Sequence, residues 1–576
     1  MSLHEKVLVI GIDGATFDLL TPWLADGRLP HLSALTARGV SAVLRSTMPA
    51  NSAPAWTSFM TGMNPGKHGI YGFTRVEPEK GYTIKVNTGA NRRAPTVWQY
   101  LSRLGKRSIV LNMPMTYPPD PIAGIVVSGI TTPGIESEFT YPPALRTEIL
   151  RRIPEYQLDV RSWGVTSVGE RRAQLMEDIS RMVESRRQLG LHLFRTEPWD
   201  LFALIFTATD RVMHFFWRFL DPQHPLYDAA EAPLYRDAIL RIHQQIDAAI
   251  GELLEVCGED TAVIVMSDHG FGPQHKLFRI NQWLLENQFL QLTFSGENGR
   301  SPGLNAGAQK WLYRGVSGAV DLARAHLSDG AKDRLKQLFP RLRERLASQT
   351  VFSGVDWTRT RAYHTAEFPG SIRINLRGRE TQGIVVPGAE YDAVCADLQT
   401  RLQALTDPQS GRRIVARVFR REELYSGPQL AKAPDLTVHL ADYAYTFDWY
   451  MPVGNGKDKL PVIDDLRGKY AVNCGYHRPD GILMMAGTGI RSGPMPAPAN
   501  IEDVIPTILY LLGVPVPEDM DGQVLTTAVL PEQLRIHEIE FGPPLLGGAH
   551  DEADGELYTA EEAEAVKNRL RDLGYL

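Results

Sequence analysis

The sequence predicts an α/β fold: a sandwich around a central, mostly parallel sheet, with a helical cap and small α+β insertions. Three observations predict it. Short apolar runs of strand length, Val7–Ile12, Ser108–Leu111, Leu201–Phe206, Ala262–Met266 and Gly481–Ala486, stop abruptly at polar or glycine-containing turns. Such runs suit strands buried on both faces. Segments of helical period lie between them: Ile239, Ile242, Ile246, Ile250 and Leu253 precede the Ala262 run, and Val504, Ile508, Leu511 and Leu512 recur near the end. Alternation of strand and helix gives a largely parallel sheet. Finally, Asp13, Asp210 and Asp268 each stand just past one of these runs. That is the edge at which open α/β sheets collect ligands.

The chain has 576 residues, more than one compact core needs, so insertions or further domains are expected. The strand-bearing segments 1–130, 200–290 and 470–530 form the expected catalytic core. Residues 131–199 read as a helical insertion, with a long helix from about Gly169 to Leu193. Residues 291–350 read as a basic helical cap. From Arg300 to Thr350 ten Lys/Arg stand against four Asp/Glu, and Leu335, Leu338, Leu342 and Leu346 make a stripe that Pro340 should kink. A solvated surface is the ordinary reading of such a segment. The sharper one is a lid facing an anionic substrate, or a peripheral contact with lipid headgroups. Residues 351–469 read as an α+β subdomain with a helix near Tyr391–Leu405, and 531–576 as a C-terminal extension. In the extension Ala563, Val566, Leu570 and Leu573 share one helical face, which docks on the body or on a second copy of the chain in a homo-oligomer.

Composition excludes several classes. A net charge of -6 argues against nucleic acid as a bulk electrostatic partner. Cys257, Cys395 and Cys474 are too few and too scattered for a disulfide framework or a thiolate metal site. The first apolar run is short and ends in Asp13-Gly14, which reads as a buried strand and not a signal peptide. No apolar run approaches the roughly 18 residues of a spanning helix. The cytoplasm is the expected location.

The chemistry-bearing residues are individually modest. Asp210 and His214 are four apart, so a helix puts them on one face, where a carboxylate and an imidazole can share a divalent metal. A surface ion pair has the same spacing. Asp268-His269-Gly270 follows a strand, but it also makes a good turn; Asp13 could cap a helix, and His477 could be a satisfied core histidine. Together these Asp and His residues offer oxygen and nitrogen ligands suited to zinc, with manganese the alternative. Carboxylates crowded at one sheet edge repel each other unless cations join them. Ser52 lies in Pro49-Ala50-Asn51-Ser52-Ala53-Pro54, where a helix begins. It reads either as an N-cap or as a nucleophile at a helix N-terminus, whose free N–H groups favour an anion. A serine needs activation to attack, and a metal can supply it.

The order of these segments resembles the alkaline phosphatase superfamily, in its type I phosphodiesterase/nucleotide pyrophosphatase branch. The matching pieces are Gly11-Ile12-Asp13-Gly14, Ser52 through Thr61-Gly62-Met63-Asn64-Pro65-Gly66-Lys67-His68-Gly69-Ile70, Asp210–His214, Ser267-Asp268-His269-Gly270, Gly475-Tyr476-His477 and Asp503–Leu509. The resemblance implies an alkaline-phosphatase-like sandwich and a two-metal phosphohydrolase acting on a small phosphate ester. It implies that Asp210, His214 and His477 hold one divalent ion. Asp13, Asp268, His269 and the Ser52 oxygen would hold the other. Ser52 would form a phosphoseryl intermediate, with Asn51 and Lys67 as candidate substrate contacts.

The chain departs from the branch at informative places. The nucleophile and its neighbour are Ser52-Ala53, where nucleotide pyrophosphatases carry threonine and an aromatic residue. Gly72-Phe73 replaces an expected phosphate-binding asparagine. None of the cysteines lies in the Cys-x-Pro-x-Arg run of sulfatases. A phosphodiesterase is therefore the leading expectation. The alternatives are a phosphomutase resembling the cofactor-independent phosphoglycerate mutases, a hydrolase or transferase of phosphonates or lipid headgroups, and an inactive scaffold that binds through its cap.

Overall fold

The computed structural model describes residues 2–160, 171–293, 352, 354–365, 367–448, 451, 460–467, 471–547 and 557–575. All the apolar runs named above are strands of one ten-stranded sheet. Strand β1 (Lys6–Ile12) lies inside it, flanked in parallel by β6 (Leu201–Phe206) and β7 (Thr261–Met266). Beyond β6 come β3 (Ser108–Met113) and β4 (Gly124–Ser128), both parallel, and then the short antiparallel β5 (Thr140–Tyr141). On the other side β10 (Asp480–Ala486) runs antiparallel between β7 and β2 (Val40–Arg45). The two-residue strands Gly493–Pro494 and Ala499–Asn500 pair with β2 at the edge. Strands β3, β6 and β7 are buried along their whole length, as the double-faced apolar runs require.

The antiparallel direction of β10 matters for the site. A parallel strand presents the residue after it at the ligand edge, whereas β10 presents the residues before it. Those belong to β9 (Gly475–Arg478), which pairs with β8 (Gly270–Pro273) just after β7. His477 thus arrives at the same edge as Asp13 and Asp268 from the opposite chain direction.

Helices cover the sheet. Helix α1 (Ser52–Thr61) is wholly buried, and α2 (Arg172–Thr196), α3 (Ala208–Leu220) and α4 (Ala238–Glu255) pack on one another. The isoleucine stripe of α4, with Leu253, faces the core. A Cβ on Gly11 would stand 2.5 Å from Ile205 and 2.6 Å from Trp56, so the bare glycine lets α1 press onto β1. A second hydrophobic cluster gathers the four-stranded sheet of Ala362–His364, Ser371–Ile374, Leu436–Leu440 and Val415–Arg420 and the helix Ala389–Gln403. The last helix, α5 (Ala560–Asp572), docks on this chain's own main core through Val566, Leu570 and the following Leu573. The basic stretch 300–350 with its leucine stripe lies outside the described residues, as does Gly169, the expected start of the long helix. Among the described residues no helix is long and apolar enough to cross a membrane.

Candidate active site

Sheet register brings the acidic residues together. Asp13 follows β1 and donates its backbone N–H to Phe206 O, the last residue of β6. Asp268 follows β7, and its Oδ1 accepts from Gly14 N at 3.2 Å. Asp210 lies in the first turn of α3, and His214 follows one turn later on the same face. The side chains of Asp13, Ser52, Asp210, His214, Asp268, His269 and His477 are all buried, none more than 3% exposed.

Two knots of donor atoms result. His269 Nε2 stands 3.1 Å from Ser52 Oγ, 3.3 Å from Asp268 Oδ2 and 3.6 Å from Asp13 Oδ1. His477 Nε2 stands 3.2 Å from Asp210 Oδ1 and 3.1 Å from His214 Nε2, which is itself 3.3 Å from Asp210 Oδ1. Tight ligand groups form from Asp13, Asp268 and His269 and from Asp210, His269 and His477. His269 belongs to both, so the two knots touch.

The histidine tautomers follow from their partners. Nδ1 of His214 faces Gly475 O at 2.9 Å, Nδ1 of His269 faces Gly270 O at 3.0 Å, and Nδ1 of His477 faces Ala50 O at 3.1 Å. A carbonyl only accepts, so each Nδ1 carries the proton. Each ring then aims its Nε2 into the cluster, the arrangement found in histidine metal ligands. Between His214 and His477 the two Nε2 atoms face each other at 3.1 Å. Asp13 Oδ1 and Asp268 Oδ2 are buried without a hydrogen-bond donor. Orphaned carboxylate oxygens crowded against converging imidazole nitrogens are unfavourable in a buried cluster, and divalent cations would turn that crowding into coordination.

The electrostatics carry the same tension. Burial, then Asp268 and Asp210, push the Asp13 carboxyl well above the usual carboxylate range. Burial and Asp210 push Asp268 up to about 7. Burial also raises Asp210, but His214 and Arg211 outweigh it and hold that carboxyl well below its ordinary value. Burial, then His269, lower His477 to about 3, so it stays neutral.

Ser52 is the first residue of α1, and the cap is Asn51, whose side chain accepts from Ala53 N at 3.2 Å. The N-cap reading of Ser52 therefore gives way: its hydroxyl is turned inward, to His269 Nε2 and to Tyr575 Oη at 3.3 Å. Asn51, expected as a substrate contact, serves the helix start. Lys67, expected as another, donates from Nζ to Asp521 Oδ1 at 2.7 Å and to Asp519 O at 2.8 Å. The ion pair with Asp521 thus takes up its charge. His68 of the same motif ties its loop to α1, accepting from Ile70 N at Nδ1 and meeting Ser58 Oγ at 3.0 Å through Nε2.

Several residues of the site escaped the sequence reading. Trp56, one turn after Ser52, donates Nε1–H to Asp13 Oδ2 at 3.2 Å. Arg211 adjoins Asp210, contacts its Oδ2, and grips Asp159 with two hydrogen bonds of 2.8 and 3.0 Å. Tyr575 arrives from the far end of the chain. A tryptophan in an apolar run and an Asp-Arg pair carry no signature of their own. For Tyr575 the only signal was a glycine just after an amphipathic helix, a common helix stop.

Comparison with known proteins places this geometry in a family. A family model described as type I phosphodiesterase / nucleotide pyrophosphatase matches residues 7–455. No curated protein matches the chain. Among solved structures, the phosphonoacetate hydrolase of Sinorhizobium meliloti 1021 in complex with phosphonoformate is similar in fold. Its TM-score is 0.50 at 14% identity, covering 87% of this chain and 94% of that one. Murine ectonucleotide pyrophosphatase / phosphodiesterase 5 also matches, with 13% identity, 88% and 95% coverage and a TM-score of 0.43. The chain belongs to the type I phosphodiesterase / nucleotide pyrophosphatase family of the alkaline phosphatase superfamily, and it is a phosphoric ester hydrolase.

Proposed function

We propose that the protein cleaves a small phosphate diester through a covalent intermediate on Ser52, with two divalent cations, zinc in the first instance. The observation that carries the reading is the convergence of potential ligand atoms at the strand edge: three imidazole Nε2 atoms and the carboxylates of Asp13, Asp210 and Asp268, with the Ser52 hydroxyl beside them. Asp210, His214 and His477 would hold one ion. Asp13, Asp268 and His269 would hold the other, next to Ser52. Bound there, the ions supply positive charge that eases deprotonation of a serine hydroxyl and of water and offsets charge on the phosphoryl oxygens.

The chain's own groups supply position. Backbone carbonyls of Gly270, Ala50 and Gly475 fix the three imidazoles, and the buried α1 fixes Ser52 at its first turn. The positive end of the α1 dipole favours the negative charge of a phosphoryl group bonded to Ser52. In the first step the Ser52 oxygen bonds to phosphorus, one ester oxygen departs, and the serine proton leaves with it as the alcohol. In the second, water cleaves the phosphoseryl bond, returning the serine hydroxyl and releasing the phosphomonoester. Burial of the cluster excludes other water.

Elemental analysis of the purified full chain, with kinetics of Ser52→Ala on bis(p-nitrophenyl) phosphate, tests this. Two ions per chain are expected. If Ser52 is the nucleophile, the substitution should lower kcat by at least about a thousand-fold with metal content retained. Near-normal turnover by Ser52→Ala, or full activity without metal, would overturn the reading. A phosphonate run in parallel separates the alternative substrate class.

A further inference from the structure

We propose that Tyr575 is a catalytic residue of this site, its hydroxyl donating a hydrogen bond to the Ser52 oxygen and, once that oxygen is bonded to phosphorus, to the phosphoryl group formed there. The inference rests on the reading of Ser52 as the nucleophile. Tyr575 stands 523 positions from Ser52 in sequence, yet its Oη lies 3.3 Å from Ser52 Oγ and 3.2 Å from Asp210 Oδ2.

Local structure explains how it gets there. Helix α5 is anchored by Val566, Leu570 and Leu573 in the main core. Arg569 adds hydrogen bonds to the carbonyls of Ile130, Thr132 and Pro133. The helix ends in a reversal in which Gly574 N bonds Arg571 O at 3.1 Å and Tyr575 N bonds Leu570 O at 2.9 Å. These are the two bonds of a Schellman stop, which needs a left-handed residue. Gly574 has φ 88°, and a Cβ there would stand 2.0 Å from Asn473 Nδ2. The reversal turns Tyr575 inward, where its ring meets Phe73 at 4.6 Å between centroids. Packed on Phe73, the ring carries its hydroxyl to the side of the nucleophile.

Donor bookkeeping gives the hydroxyl its direction. Arg211 Nη1 donates to Tyr575 Oη at 3.0 Å, because a guanidinium cannot accept. The single phenolic proton is then left for Asp210 Oδ2 or Ser52 Oγ. Asp210 Oδ2 already receives Arg211 and belongs to a ligand carboxylate, whereas Ser52 Oγ, if it donates to His269, lacks a donor of its own. Arg211 is itself locked by two bonds to Asp159. The chain Asp159–Arg211–Tyr575–Ser52 is a fixed line of polar groups ending on the reacting oxygen. A fixed donor aimed where negative charge develops is worth most in a buried site.

The test compares full-length Tyr575→Phe and Tyr575→Ala with the parent and with Ser52→Ala, using bis(p-nitrophenyl) phosphate and inhibition by orthovanadate. Tyr575→Phe keeps the ring against Phe73, so melting temperature and metal content should match the parent. Its kcat should fall about a hundred-fold, the order seen when one such donor is removed, with KM nearly unchanged. Orthovanadate inhibition should weaken in step with kcat, and Tyr575→Ala should lose at least as much. Parental or faster turnover by Tyr575→Phe would overturn the proposal, the faster result marking Tyr575 as a plug. Equal loss of kcat with unchanged vanadate inhibition would overturn it too. If Ser52→Ala is itself active, the nucleophile reading has failed; if Ser52→Ala is inert while Tyr575→Phe is normal, only this inference has.

Discussion

Trp56 donates its indole N–H to Asp13 Oδ2 across 3.2 Å, one helical turn beyond Ser52. One side chain of α1 is thus the candidate nucleophile, and the next on that face orients a candidate metal ligand. The other Asp13 oxygen has no donor and faces His269. We predict that Trp56→Phe weakens metal affinity about ten- to a hundred-fold, as removal of a ligand's outer partner does elsewhere. Saturating metal should restore most of the parental kcat. Competition with a chromogenic chelator measures the affinity, and an unchanged value would show that the indole merely packs.

The two knots of ligands should separate in metal content. Asp210 and His214 belong to α3 and His477 to β9, while Asp13 and Asp268 follow β1 and β7. Asp210→Asn should therefore empty one site and leave the other partly filled, read as close to one ion per chain after dialysis. His477→Ala should do the same. Because His269 lies within reach of both groups, His269→Ala should deplete both. Adding metal to the stripped parent should raise its melting temperature, since an ion bound only by the folded chain adds roughly 3 kcal/mol at a hundred times its Kd.

Acid stability should be set partly by histidines remote from the site. Burial lowers His243 and His364 to about 4 from an ordinary 6.5. Each has Nδ1 on a backbone carbonyl, of Ile239 and Ser371, and an Nε2 without a partner, so the charged ring would bury an unpaired donor. Their folded values are depressed. The stability they contribute is complete above 6.5 and is lost as pH falls from there towards 4. The loss is at most about 3 kcal/mol for each histidine. His243→Phe, which keeps a ring against Trp23, should flatten the fall of melting temperature between pH 6.5 and 4. An unchanged slope would remove His243 from the account.

Much of the fold was legible because its signals are local. An apolar run buried on both faces, as in Leu201–Phe206, needs no distant partner to be recognised. The aspartates after β1 and β7 and in the first turn of α3 were found by the same logic. His477 was different: it reaches the edge because β10 runs antiparallel, and only the family's segment order pointed to it. Ser52 was placed correctly at a helix start, but the cap duty falls on Asn51, because the side chain one residue earlier reaches the Ala53 N–H. For Lys67 the sequence shows a charge but not its counter-ion, since Asp521 is 454 positions away. Tyr575 and Arg211 were illegible for the same reason, since their roles exist only once the chain has closed on itself.

The commitments of the nearby cations shape the last prediction, a preference for diesters over monoesters. A monoester dianion carries one more negative charge than a diester, and a site that prefers it needs an uncommitted positive group near the nucleophile. Lys67, the basic residue of the nucleophile motif, is paired with Asp521 and reaches the carbonyl of Asp519. Arg211 shares the Tyr575 hydroxyl with Ser52, but its guanidinium is divided among Asp159, Asp210 and Tyr575. Neither can turn to a phosphate without leaving a carboxylate unpaired, in the case of Arg211 a fully buried one, which is strongly unfavourable. The charge left for substrate is that of the cations, and a diester monoanion asks less of it. We therefore expect kcat/KM for bis(p-nitrophenyl) phosphate to exceed that for p-nitrophenyl phosphate. Lys67→Ala should leave this ratio and kcat nearly unchanged and cost at most about 1 kcal/mol of stability, since its ion pair is partly exposed. A monoester preference that collapses in Lys67→Ala would show that Lys67 leaves Asp521 to meet the substrate, and the charge argument would then fail.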